Sequence, residues 1–356
     1  MINPDQKLNL NLFDKKVEQV PIRKGFGQGL LESGERNENV VGLCADLTES
    51  TQMHLFRNKF PERFIEMGVA EQNLASVASG LSAMGKIPFI SSYAMFSPGR
   101  NWEQIRTTIC YNNRPVIIAG SHAGISVGPD GGTHQAIEDI AITRVIPNMV
   151  VISPCDHIEA RKATLASVDL QKPVYIRLAR EKTPVITTEE SPFEVGKAQM
   201  YYGEEDSKAD VGIIATGALV YKALKVAEFL KKSARNASPA SNASRSDSGW
   251  PSDAGGEKIS VKVLNISTIK PLDSEAIIKL AKTCGAIVTV EEHQIIGGLG
   301  SAVSEVLSQN FPTPIEFIGV HDLFGQSGIP DELLEHYGMG ESHILLACKK
   351  VIGRKS

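Results

Sequence analysis

No uninterrupted apolar run in this sequence approaches the roughly twenty residues that cross a bilayer, so a membrane-embedded protein is not expected. Positive charge is not in surplus either. Thirty-seven Lys and Arg stand against 41 Asp and Glu, a net charge of −4; without a broad basic surface, nucleic-acid binding is not expected. Cysteine is scarce. Cys44, Cys110, Cys155, Cys284 and Cys348 lie far apart, with no C-x-x-C pair and no ligand spacing, so the cysteines predict no metal site. Three sit in apolar stretches and read as core thiols of a reducing compartment. The first residues carry Asp5, Lys7, Asp14, Lys15 and Lys16 and lack the apolar core of a signal peptide. These absences predict a soluble, cytoplasmic chain.

What is present fits a globular protein of two domains: 356 residues, 42% of them hydrophobic. The chain is organised around residues 63–85, RFIEMGVAEQNLASVASGLSAMG. The stretch predicts a buried strand over 64–67, a turn at Gly68 and a helix. Ala70, Leu74, Val77, Leu81 and Met84 recur at three- and four-residue steps, predicting a single apolar face. Glu71 falls in the first turn. A carboxylate there has an ordinary use, interaction with the helix macrodipole. The small residues after it (Ala75, Ser76, Ala78, Ser79, Gly80) also let a flat ligand or another backbone come close.

Residues 1–20 show no period and are expected to form an arm lying on a neighbour. Residues 21–186 alternate strand and helix: a helix over 23–33, strands over 40–45 and 87–91, and a helix over 101–111. Then come a strand over 115–119, a Gly-rich loop, a helix from about 135, a strand over 149–153, a helix over 156–168 and a strand over 174–178. Residues 187–203 read as a linker, and 204–356 as a second α/β domain with strands over 211–215, 259–264, 286–290 and 315–318. Such alternation predicts two doubly wound domains with parallel sheets covered on both faces. Ligands of open sheets gather at the carboxyl ends of the strands, where the polar loops lie. Residues 233–256, SARNASPASNASRSDSGWPSDAGG, have few large apolar side chains and are expected to form a disordered insertion, with Trp250 a stray aromatic. GGLG at 297–300 lacks the spacing and the downstream acid of a dinucleotide fingerprint.

GVAEQN (68–73), the pair Tyr93 and Phe96, and DGGTHQ (130–135) occur together and in this order. They resemble the pyrimidine-binding half of a transketolase-type thiamine diphosphate enzyme, and the resemblance runs from about Arg23 to the C-terminus. It implies that Glu71 holds a ring nitrogen of the cofactor's aminopyrimidine, a task suited to a carboxyl group in a dry pocket. Phe96 is implied to stack on that ring with Tyr93 flanking it, and Asp46 to face the thiazolium side. In HAGISVGPDGGTHQ (122–135), His134 matches a partner of substrate oxygens and of the developing oxyanion. Asp130 matches a reader of a substrate hydroxyl, and His122 a substrate-phosphate histidine. Arg23, Ser50 and Arg180 complete a phosphate clamp, with Arg177 as an alternative to Arg180; a guanidinium suits phosphate by its planar donor fork. Residues 291–307 match the C-terminal transketolase domain, in a role of architecture and subunit packing.

One family element is missing. Thiamine enzymes bind the diphosphate and Mg²⁺ through GDG and an Asn about thirty residues on, and this chain has no GDG. The resemblance therefore implies the C-terminal subunit of a split transketolase. A companion N-terminal subunit would supply the diphosphate site and the Mg²⁺ ligands, in a heterotetramer acting on phosphorylated sugars. The alternatives are the β subunit of a 2-oxo-acid dehydrogenase decarboxylase, whose loop usually carries HHSQ rather than THQ, and a 1-deoxyxylulose-5-phosphate synthase-like enzyme. A non-catalytic structural subunit is a third. DGGTHQ and FGQSG (324–328) favour transketolase.

Overall fold

The computed structural model describes residues 1–236 and 259–355. Residues 237–256 of the expected insertion, with Trp250, lie outside the described residues. Among those described, no helix is long and apolar enough to cross a membrane.

The first sheet has seven strands. In spatial order they are Thr268–Lys270, Val150–Ile152, Val174–Arg177, Ile117–Ser121, Ile87–Tyr93, Val40–Cys44 and Phe64–Glu66. All pairings are parallel except that of Thr268–Lys270. VVGLC and IIAGS are buried at every residue, because a parallel strand covered on both faces has no wet side. Phe64–Glu66 departs from expectation: it is the edge strand and only half-buried. Ile22–Arg36 and His157–Asp169 cover one face, and Glu71–Ala83 with Ile105–Cys110 the other. The former pair approach closely because Gly25 and Gly29 leave room for the His157 carbonyl and the Thr164 side chain.

The inward face of the helix Glu71–Ala83 is shifted from the one expected: Leu74 is buried as expected, while Val77 and Leu81 pack against the core only at its edge. Its buried residues are Glu71, Leu74, Ala75, Ala78, Ser79 and Ser82, whereas Val77 and Leu81 are half-buried and Met84 is 82% exposed. Small side chains win the inner face because the neighbouring helix lies close: Ser79 Oγ donates to the Thr108 carbonyl at 2.7 Å. That neighbour widens into a π-helix over Ile105–Cys110. The helix expected from 135 begins later, at Asp139–Arg144, since the Gln135 side chain is taken up by loop carbonyls described below.

The second sheet runs Ile315–Val320, Ile287–Gln294, Val211–Ala215, Val261–Asn265 and Gln199–Tyr202, the last antiparallel. The strand Gln199–Tyr202 thus lies inside the stretch expected as a linker. The N-terminal arm also departs from expectation, because it packs on its own chain. Leu8 and Leu12 are buried in the core beside Tyr201 and Ile186, Asn3 N donates to Tyr201 O at 2.9 Å, and Gln19–Pro21 pairs with Lys182–Pro184. Two leucines with a place in the core need no partner molecule to cover them.

The seam between the sheets is polar and dry. Glu159 accepts from Cys155 N at 2.6 Å, from Asn265 Nδ2 at 2.9 Å and from Tyr201 Oη at 3.3 Å. Burial, with Asp156 adding to it, pushes its carboxyl up to about 7. Glu291, held by the amides of Leu299 and Gly300 at 2.7 and 2.8 Å, is pushed by burial to about 7 as well. A raised carboxyl binds more protons in the fold than in the unfolded chain. Its contribution is therefore intact below pH 4.5, the ordinary value, and is lost as pH rises towards 7. Buried His122 and His293, lowered to about 3 and about 4, work in the opposite sense between those values and 6.5, so the net profile is flattened. The carboxyl term emerges by difference. Relative to the native chain, Glu159→Gln should gain about 3 kcal/mol of stability between pH 4.5 and pH 7.5, measured by denaturant unfolding across that range. A pH-independent difference would contradict the burial account.

Candidate active site

Val40–Cys44, Ile87–Tyr93, Ile117–Ser121 and Val174–Arg177 are adjacent and parallel. The loops leaving their carboxyl ends therefore open at one edge of the sheet. These loops carry Asp46, the pair Tyr93 and Phe96, His122 and Arg180. Arg23 reaches the same edge from the start of Ile22–Arg36.

The aromatic side chains form a continuous stack. Tyr93 lies against His122 at 3.8 Å between ring centroids and 21° between planes, and against Phe96 at 6.1 Å and 14°. His134 meets Phe96 edge-on at 5.4 Å. Glu71, the first residue of its helix, is 4% exposed. Arg100 Nη1 lies between both carboxylate oxygens, at 3.1 and 3.2 Å, while its guanidinium carbon stands 4.2 Å from the Phe96 ring centroid. Asn101 Nδ2 donates to the Glu71 carbonyl at 3.0 Å and to Ser97 Oγ at 3.1 Å, tying the arginine's turn to the helix start. Glu71 and the Phe96 face thus already receive one planar nitrogen group together. Those two contacts are what an aminopyrimidine needs: a carboxyl group for its ring nitrogen and a phenyl face for its plane. The residues fit that group.

Next to the stack lies a cationic corner. Arg23 Nη1 donates to His122 Nε2 at 2.8 Å, so the imidazole proton sits on Nδ1 and donates to Ser121 Oγ at 2.9 Å. Burial, then the charge of Arg23, drives His122 down to about 3, and it is neutral. Arg23 is lowered by burial and by repulsion from Arg180, and its buried Nε has no hydrogen-bond partner. Two guanidiniums close enough to repel each other, with a free buried donor, favour an anion beside them. Arg180 Nη1 donates to the Val127 carbonyl at 2.7 Å and lies 3.9 Å from Asp130 Oδ1, so it also fixes the Gly-rich loop. Arg177, the alternative clamp residue, is engaged elsewhere: buried, it pairs with Asp139 at 2.8 Å and donates to the carbonyls of Ala136 and Glu292.

The second sheet's loops back this site. Gln135 Nε2 donates to the Ile125 and Gln326 carbonyls, each at 3.0 Å, and Glu292 Oε1 accepts from Ser126 N at 2.6 Å. A Cβ on Gly132 would stand 2.5 Å from the Gly325 carbonyl, so DGGTHQ and FGQSG interlock only through glycine.

The transketolase pyrimidine-binding domain model matches residues 18–185, and the transketolase C-terminal domain model matches residues 252–344. A Methanocaldococcus jannaschii protein described as a transketolase C-terminal section is 44% identical over 325 residues, covering 90% of this chain and 93% of that protein. The chain belongs to the transketolase family. A 6-deoxy-6-sulfo-D-fructose transketolase subunit from Clostridium sp. (strain MSTE9) is 37% identical over 97% of this chain and 98% of its own length. Among solved structures, a split-gene transketolase described as an inactive β4 tetramer superposes with a TM-score of 0.81 at 40% identity. It covers 95% of this chain, which covers all of it. Transketolase from Campylobacter jejuni shares the fold at 20% identity and a TM-score of 0.72, and this chain spans 49% of it. The chain thus corresponds to the pyrimidine-binding and C-terminal domains of a transketolase, the section that split forms carry as a separate subunit.

Of the transketolase positions expected here, Arg23, Tyr93, Phe96, His122, Asp130, His134 and Arg180 come together through the contacts above, with Glu71 joined to Phe96 through Arg100. Asp46 and Ser50 sit in the loop after Val40–Cys44, and neither side chain hydrogen-bonds a described residue. Asp46 adopts a positive φ of 57°. The carboxylate of Glu66 holds that turn, accepting from Asp46 N at 2.7 Å, Gly68 N at 3.1 Å and Thr48 Oγ1 at 2.9 Å. Arg100 and Glu66 were not legible as site residues. An isolated arginine in SPGRNW and a glutamate closing a strand have no periodicity, and their partners lie 29 and 20 residues away.

Proposed function

We propose that this chain is the catalytic C-terminal subunit of a split transketolase, moving a two-carbon ketol unit between phosphorylated ketose and aldose sugars. The observation that carries the reading is the convergence of buried Glu71 and the Phe96 face on one planar nitrogen group, beside the Arg23–His122–Arg180 corner. Thiamine diphosphate supplies the electron sink that lets a carbon–carbon bond next to a ketose carbonyl break. Glu71 holds a proton between its carboxyl group and a ring nitrogen of the aminopyrimidine, a positioned acid–base role. Phe96 stacks on the heterocycle with Tyr93 flanking it, and Asp46 faces its far side. His134, edge-on to Phe96, donates to the substrate oxygen that gains charge, and Asp130 accepts from a sugar hydroxyl. The buried free donor of Arg23 and the fork of Arg180 take the terminal phosphate, with neutral His122 orienting Arg23 and Ser50 closing the clamp.

The companion subunit brings the diphosphate half and its Mg²⁺ ligands. Among the described residues no group of His, Cys, Asp or Glu is placed to hold a metal ion. Exposed Val69, Met84 and Tyr111 give the companion apolar contacts around the helix that carries Glu71. The assembly is taken as a heterotetramer. The chain's first domain is taken as residues 21–186, and its second, expected over 204–356, extends back to Gln199, with Thr268–Lys270 lent to the first sheet. All five cysteines are free and buried, in keeping with a reducing, cytoplasmic setting.

The test is a calorimetric titration of the purified chain alone with thiamine diphosphate and Mg²⁺. With only the pyrimidine half-site present, binding is expected to be much weaker than micromolar, and micromolar binding by the lone chain would overturn the split-site reading.

A further inference from the structure

We infer that Arg100 is a resident competitor for the pyrimidine half-site: the chain's own guanidinium occupies Glu71 and Phe96 until a planar nitrogen heterocycle displaces it. The inference rests on the cofactor reading proposed above. Both groups needed by an aminopyrimidine are engaged by this one side chain. Its Nη1 lies 3.1 and 3.2 Å from the two Glu71 oxygens, and its guanidinium carbon lies 4.2 Å from the Phe96 ring centroid. Arginine is suited to the part because it joins a planar, weakly hydrated cation that rests on an aromatic face to N–H donors that satisfy a carboxylate. Lysine could supply the charge and not the plane.

The backbone that carries Arg100 is anchored. Asn101 binds the Glu71 carbonyl and Ser97, and the Arg100 amide donates to the Phe96 carbonyl at 2.8 Å. The side chain is not anchored in the same way. Half of it is exposed, and it borders an open cavity of about 480 Å³ lined by Val69, Ala70, Glu71, Gln72 and Asn73. Displacement is therefore a rotamer change into that space, not a movement of the loop.

Two consequences follow. The buried Glu71 carboxylate is never left without a partner, which would cost more than any single exposed ion pair returns. An incoming ligand also exchanges one set of contacts for another, so its apparent affinity is reduced by the fraction of molecules in which Arg100 is withdrawn. Only a group offering both a flat face and a nitrogen for Glu71 recovers what it displaces. That excludes simple aromatics and makes Arg100 a specificity-determining residue for aminopyrimidines.

The experiment titrates the full chain with 4-amino-5-hydroxymethyl-2-methylpyrimidine, the pyrimidine portion of thiamine, by calorimetry or ligand-detected NMR. Arg100→Ala is expected to bind the fragment about 10-fold more tightly than the native chain, and Arg100→Lys to fall between the two. The lysine variant keeps a cation beside Glu71 and so serves if the alanine variant folds poorly. Phe96→Ala is expected to abolish binding in either background. Equal or weaker binding by both Arg100 variants would overturn the inference. In that event, loss of native binding in Phe96→Ala would leave the pyrimidine site standing and remove only the competition, whereas no binding by any form would remove both.

Discussion

Glu71→Gln is expected to slow cofactor activation by about 10²- to 10⁴-fold in the assembled enzyme, the range of a positioned acid–base group. The substitution is close to isosteric. Glu71 is buried at the first turn of its helix, and the amide keeps an oxygen for Arg100 and for a ring nitrogen's N–H. What it loses is the carboxyl proton, which an amide cannot share with the aminopyrimidine. Folding and assembly should be normal because the packing of the helix and its exposed Met84 are untouched. Affinity for the cofactor should fall less than the rate, since the Phe96 face and the companion's diphosphate site remain. The readout is exchange of the thiazolium C2 proton for deuterium, native against variant. Equal exchange rates would leave Glu71 as a helix-end carboxylate and nothing more.

Arg23→Ala should raise KM for phosphorylated sugars by about 10- to 150-fold with kcat little changed. A charge-assisted hydrogen bond is worth about 1.5–3 kcal/mol, and a phosphate distant from the reacting carbon is held equally in ground and transition states. Arg23 is a cleaner probe than Arg180, whose bond to the Val127 carbonyl also shapes the Gly-rich loop. Steady-state kinetics with a phosphorylated donor and its unphosphorylated counterpart separate the cases. An equal loss on both would mean that Arg23 acts by orienting His122, to which it donates, and not by binding phosphate.

The strands were readable because burial on both faces demands unbroken runs such as VVGLC and IIAGS. That Tyr93, Phe96, His134 and Glu71 lie together is legible because they stand in words that occur together in the sequence. The orientation of the Glu71 helix was not. Its 3.6-residue period is real, but close packing against Thr108 rewards Ala75, Ala78 and Ser79 over Val77 and Leu81, which a hydrophobicity pattern cannot weigh. Of the expected stripe, Leu74 is buried, Val77 and Leu81 pack at the edge of the core, and Met84 is exposed. The N-terminal arm carries only two core leucines in its first twelve residues, too few to set a period, yet both find places in the core beside Tyr201. Gln199–Tyr202 and Thr268–Lys270 are short; the first is an edge strand of the second sheet, and the second pairs across to the first sheet, a partner that its own stretch of sequence does not name. Arg100 is not legible in the sequence because, although Phe96 stands only four residues before it, its carboxylate partner Glu71 lies 29 residues away.

The central claim is that this chain holds half of a cofactor site that a second subunit completes. Repeating the thiamine diphosphate and Mg²⁺ titration after adding a separately purified chain with a transketolase diphosphate-binding domain tests it most directly. The account predicts that micromolar binding, absent from either chain alone, appears in the mixture at one cofactor per copy of this chain and is weakened by Phe96→Ala. Binding of equal strength by the added chain alone, or binding in the mixture indifferent to Phe96→Ala, would contradict it.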